Sequence, residues 1–122
     1  MVGIDIVKIE RFKGVKPSFV ERVFTEREQE YLQGRKEQSM AGIFAAKEAV
    51  AKAFGTGFVG FSLRDIEILH DSVGKPYVVL HGAARGRMRE NHRRRKLRNR
   101  REVEISITHS DTDAVAVAVV LG

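Results

Sequence analysis

Asp5, Glu48, Lys52 and His109 are the residues whose types and settings allow chemistry. Asp5 stands in an apolar stretch with Ile on both sides, where a buried carboxylate needs donors or a metal. Glu48 and Lys52 lie four apart on a segment rich in Ala and Phe, so they are neighbours on one helical strip. On a generic helix that spacing is a surface pair. On a helix apolar nearly all round, such charges are paired, metal-bound or functional. Two acids from separate elements can converge on one hard cation, and Mg²⁺ takes few protein carboxylates, completing its octahedron with water and phosphates. Lys52 suits a phosphate as a point charge. His109 ends a strand next to a turn, where its side chain can reach a ligand; spacing alone gives it no role. No Walker loop, G-x-G-x-x-G or H-E-x-x-H is present. Spacing therefore offers an Mg²⁺–phosphate site and nothing narrower.

The element that must carry Glu48 and Lys52 is a helix over 41–54, since Ala, Lys and Glu lose little on entering one. Ser39 is the expected N-cap and Gly55 the residue that ends it. Met40, Ile43, Val50, Ala51 and Phe54 share a face, and Ala45, Ala46, Ala49 and Ala53 fill most of the rest, so the helix is expected to be buried. Lys47 projects into the apolar face, and its ammonium is expected to snorkel past it.

Residues 2–9 read as a first strand, rich in β-branched side chains. Capping boxes at Ser18 and Thr25 predict short helices over 18–23 and 26–33, the second closed by Gly34. Gly55, Gly57 and Gly60 form a loop that lets a ligand approach the backbone. Strands over 61–69 and 77–80 flank a turn at 71–76. Residues 82–101 read as a helix with a very basic second half. A second hairpin follows, with strands over 103–108 and 114–121, expected at the centre of the sheet. This order predicts an α+β fold, a mainly antiparallel sheet packed against a long buried helix, with residues 1–122 as a single domain.

The chain has 122 residues, 43% hydrophobic and 31% charged, which suits one modest core. It has no Cys, which excludes a disulfide framework, a thiolate metal site and a cysteine nucleophile. No segment resembles a signal peptide or a membrane span of roughly 20 apolar residues, so a cytoplasmic protein is expected. The net charge of +6 is local. Residues 85–101 hold nine Arg and one Lys against one Glu, a charge of +9, and the remainder carries −3. This segment supports an alternative function, a basic nucleic-acid-binding module using 85–101. No aromatic residues interleave with the run, and no named nucleic-acid fold is visible.

Several blocks occur in order: Gly3-Ile4-Asp5-Ile6-Val7, Phe44-Ala45-Ala46-Lys47-Glu48-Ala49 with Lys52, Gly55-Thr56-Gly57, Asp65-Ile66-Glu67-Ile68, Gly74-Lys75-Pro76-Tyr77 and Ser106-Ile107-Thr108-His109-Ser110. Together they resemble the holo-[acyl-carrier-protein] synthases, small bacterial 4′-phosphopantetheinyl transferases, over nearly the whole chain except 84–101. The resemblance implies transfer of the phosphopantetheine arm of coenzyme A to a serine of apo-acyl carrier protein, releasing adenosine 3′,5′-bisphosphate. It implies Asp5 and Glu48 as Mg²⁺ ligands, Lys52 as a phosphate contact, and His109, Ser110 and Gly55 in the coenzyme A pocket. Glu48 or a metal-bound water would take the serine proton. It also implies a homotrimer with sites between subunits, Arg35 reaching a coenzyme A phosphate from the neighbour, and Arg11 and Arg22 docking the acidic carrier. Whether that carrier serves fatty-acid or polyketide-type synthesis is open. The chain departs from the family at two places: Ile43 replaces a phosphate-binding Arg, and 85–101 is longer and more basic than usual.

Overall fold

A computed structural model describes residues 1–55, 62–86 and 103–121. Strand β1 (Val2–Lys8) leads through a 3-10 turn (Ile9–Phe12) to helices α1 (Pro17–Val23), α2 (Glu26–Leu32) and α3 (Glu37–Ala53). A 3-10 turn (Leu63–Asp65) opens the hairpin β2 (Ile66–His70) and β3 (Pro76–Leu80). Helical backbone covers 82–86, and β4 (Val103–His109) and β5 (Asp113–Val120) complete the fold. Most of the expected loop at 55–60, the first residue of the strand expected over 61–69 and most of the basic helix lie outside the described residues, and that strand begins only at Ile66.

The fold is α+β and antiparallel, as the element order predicts, but the strands form two sheets. Among the described residues, β1, β5 and β4 pair in that order, and β2 and β3 form the second sheet. Only β5 is central in the larger sheet; its hairpin partner β4 lies at an edge. Along β5, Ala114, Ala116, Ala118 and Val120 face α3 and are buried, while Val115, Val117 and Val119 face outward. The run that looks uniformly apolar in sequence is thus a two-faced strand.

Helix α3 is buried along most of its length, with Ala45, Ala46, Ala49, Val50 and Ala51 fully enclosed. Its small residues let it lie on the sheet at short range. A Cβ on Gly3 would fall 2.0 Å from the Ala49 carbonyl oxygen, and one on Gly42 would fall 3.0 Å from Ile107 Cγ2. The helix starts earlier than expected, with Lys36 rather than Ser39 at the N-cap. Similarly, α1 starts at Pro17 without a side-chain cap, because Pro already presets the first-turn φ. The Thr25 capping box forms as read, with Glu28 completing it.

Candidate active site

Asp5 sits on the helix-facing side of β1, between buried Gly3 and Val7. Its Oδ1 accepts from Lys52 Nζ at 2.7 Å, and the same ammonium lies 3.3 Å from the Ile4 carbonyl. Its Oδ2 is buried with no hydrogen-bond partner. The Glu48 carboxyl is half-buried nearby. Burial raises its pKa above the ordinary value and the charge of Asp5 raises it further, while Lys52 and Arg11 pull it down. Asp5, Glu48, Lys52 and Arg11 therefore share one local field at the seam of β1 and α3.

Lys52 does not pair along the helix with Glu48 as the spacing suggests. It crosses to Asp5, which the glycine-mediated contact of strand and helix brings within reach. Arg11, in the turn after β1, is held over two aromatic rings, 5.9 Å from the centre of Phe12 and 5.7 Å from that of Phe44. The donor set fits a hard divalent cation: two converging carboxylates, one with an unsatisfied oxygen, leave room for water and phosphate ligands. Among the described residues no group of three or more His, Cys, Asp or Glu is assembled to hold a metal. A cation bound here would need further oxygens beyond those of Asp5 and Glu48.

His109 lies on the other side of α3. It lines a cleft of about 270 Å³ with Ser39, Gly42, Ile43, His70 and Ile107. Its Nδ1 is 3.1 Å from the Ser110 carbonyl oxygen. The Ser110 hydroxyl oxygen accepts from the Thr112 and Asp113 amides, which fixes the turn after β4. Ile43 is 2% exposed and brings no charge to this cleft. The cleft at Asp5, lined by Ile4, Asp5, Ile6, Lys52 and Val115, shares no residue with it. One chain thus splits the sequence-predicted residues into an acidic half on the β1 side and a histidine half on the β4 side.

Arg35 belongs to neither half. It follows α2, stacks 4.0 Å from the centre of the Tyr31 ring and donates from Nε to the Tyr31 carbonyl at 2.9 Å. Arg22 is exposed in the last turn of α1. Gly55 follows α3 with φ +82°, a left-handed turn that ends the helix as expected.

Three arrangements were not legible in the sequence. Lys47 does not snorkel; it is fully buried, bonded to Glu28 at 2.7 Å and to the carbonyls of Leu63 and Ile66. Glu67 is buried and gathers Thr25, Arg27 and His81. Tyr31 stacks flat on His70, ring centres 4.0 Å apart. The Thr25 cap signals the place of Glu28, but no local pattern links it to Lys47.

The 4′-phosphopantetheinyl transferase superfamily matches residues 1–118. The holo-[acyl-carrier-protein] synthase of Caldanaerobacter subterraneus subsp. tengcongensis is 51% identical over 89 residues, 69% of this chain and 70% of that protein. The Helicobacter pylori holo-[acyl-carrier-protein] synthase, solved in complex with coenzyme A, superposes with a TM-score of 0.78 at 32% identity, covering 99% of this chain and all of that one. The Bacillus anthracis synthase, solved with coenzyme A (3′,5′-ADP), gives 0.75 at 35% identity, covering 98% of this chain and 93% of that one. The chain belongs to the 4′-phosphopantetheinyl transferase superfamily.

Proposed function

We propose that this protein is a holo-[acyl-carrier-protein] synthase. It transfers the phosphopantetheine arm of coenzyme A to a serine hydroxyl of apo-acyl carrier protein. The serine oxygen forms a bond to the phosphorus that carries the arm, the bond from that phosphorus to the bridging oxygen breaks, and adenosine 3′,5′-bisphosphate leaves. The observation that carries this reading is the Asp5–Glu48 pair with Lys52 at the β1–α3 seam, in a fold that matches such synthases end to end.

Asp5 and Glu48 are the residues that would hold Mg²⁺, Asp5 through its unsatisfied oxygen. When bound, that ion supplies charge neutralisation at the diphosphate. Lys52 adds a point charge for a phosphate. Glu48, its carboxyl above the ordinary range, or a water beside it, takes the serine proton. Arg11, fixed over Phe12 and Phe44, faces an acidic carrier, with Arg22 as a second contact.

We also infer a homotrimer whose sites lie between subunits. Its support is the outer face of the larger sheet. Val2, Ile4 and Ile6 are each more than 60% exposed and stand opposite Val119, Val117 and Val115 in register. The division of the site is in keeping with the same assembly, the His109 cleft of one subunit being set against Asp5 and Lys52 of the next, with Arg35, which lies in neither cleft, reaching in from a neighbouring subunit. No described helix is long and apolar enough to cross a membrane, in keeping with action in the cytoplasm. The nucleic-acid alternative gains no support from the relatives, and nearly all of its segment lies outside the described residues.

The test is the intact mass of an apo-acyl carrier protein after incubation with this protein, coenzyme A and Mg²⁺. The carrier should gain one phosphopantetheine arm. Chelation should abolish the gain, and Asp5→Ala or Glu48→Ala should slow it at least about 100-fold, the scale of several kcal/mol of charge stabilisation. A carrier of unchanged mass with the unaltered protein overturns the reading.

A further inference from the structure

We propose that His70 is a second phosphate contact in the His109 cleft, donating a hydrogen bond through Nε2 to a phosphate oxygen of coenzyme A; this rests on the coenzyme A reading given above. The described residues lining that cleft include no Lys or Arg, and Ile43 is buried and neutral. A phosphate entering it meets two histidines, His70 from the end of β2 and His109 from the end of β4.

The ring of His70 is already fixed. It lies flat against Tyr31, 7° from parallel at 4.0 Å. The Arg35 guanidinium sits 4.0 Å from the same Tyr31 ring. Two groups cannot fill one 4 Å layer, so Arg35 and His70 take opposite faces and Tyr31 is clamped between them. A donor held this way loses little freedom when it binds.

The tautomer follows from burial. Nδ1 of His70 is enclosed and has no hydrogen-bond partner. A proton there would strand a buried N–H, which is costlier than a buried lone pair on a neutral ring. The proton therefore sits on Nε2, the nitrogen left to meet a ligand. Burial, and next the charge of Arg35, hold the His70 pKa below its ordinary value, against the opposing pull of Asp71. At neutral pH the ring is thus an uncharged Nε2–H donor.

Equilibrium binding of coenzyme A, measured by calorimetry on the full chain, tests this. His70→Phe keeps an aromatic ring on Tyr31 and removes the donor; it should weaken binding about tenfold or more, the scale of a hydrogen bond to a charged group. His70→Gln restores an amide donor near the Nε2 position and should recover most of that loss. Melting temperatures of both variants show whether the fold is kept. His70→Phe binding coenzyme A as the unaltered protein does overturns the proposal, as does His70→Gln binding as weakly as His70→Phe. Failure of the synthase reading is seen separately, as an unaltered protein that neither binds coenzyme A nor transfers its arm.

Discussion

Glu67 shows how far a single residue departs from what its neighbours in sequence suggest. It sits in an apolar strand and is 2% exposed. Burial pushes its pKa up. Hydrogen bonds from Thr25 at 2.5 Å, from His81 at 2.9 Å and from Arg27 at 2.5 Å, with the Arg27 charge, overcome burial and bring it to about 2. A carboxylate whose pKa is depressed by folding stabilises the protein fully above its unfolded value, near 4.5. That contribution, on the order of 2–3 kcal/mol, is lost as pH falls from there toward 2. Urea midpoints measured from pH 7 to pH 2 should therefore drop through this window, and in Glu67→Gln the curve should start lower and flatten. Equal slopes in the two proteins would show that other carboxylates carry the acid sensitivity. The same logic separates Lys47 from Lys52, five residues apart on one helix. Lys47 is sealed against Glu28, and burial lowers its pKa despite that partner. Lys52 remains half exposed beside Asp5, where a phosphate can reach it.

At the level of elements, what placed Asp5 beside Glu48 is the fit of β1 against α3, and that fit depends on Gly3. A methyl group at Gly3 would sit 2.0 Å from the Ala49 carbonyl oxygen and 2.6 Å from the Ala53 amide nitrogen, both backbone atoms that no rotamer change can move. Gly3→Ala should force strand and helix apart, costing about 3 kcal/mol by overpacking. Because Asp5 is two residues along the same strand face, transfer activity should fall further than the loss of folded protein explains. Thermal melting and activity per folded molecule separate the two effects. Normal activity per folded molecule would mean that the seam can open without disturbing the acids. The long helix, the strands and the candidate acids were legible because composition, β-branching and i,i+4 spacing are local signals. The starts of α1 and α3 were not, since Ser18 and Ser39 satisfy the capping pattern while Pro17 and tertiary packing set the boundary. The Glu28–Lys47 pair joins residues 19 apart on different helices, a relation no periodicity encodes.

On the scale of the whole molecule, one chain divides the candidate residues between two clefts, and the proposed trimer would bring them together. Asp5 and Lys52 line one cleft and His109 another, with α3 between them. Beside the Asp5 cleft the sheet presents an apolar face of Ile4, Ile6 and their β5 partners to solvent, a surface that a lone chain would expose at a cost and a second copy would cover. The alternation of β5 shows why sequence alone left the core and interface readings open: from Ala114 to Val120 alternate residues face α3 and the outer surface, and every one of them is apolar. If each site is built across a ring interface, Asp5→Ala and His109→Ala damage different halves of it. Each variant alone should be nearly inactive. Unfolded together and refolded as a mixture, equal amounts should regain about a quarter of the unaltered activity, because random assembly around a closed ring gives one interface in four with both intact halves. A mixture no more active than its parts would place both residues in a site within one chain, and the β1–β5 face would then need another occupant. Val117→Arg provides the complementary check, since a charge at the middle of that face should leave monomers by light scattering and remove the recovery on mixing.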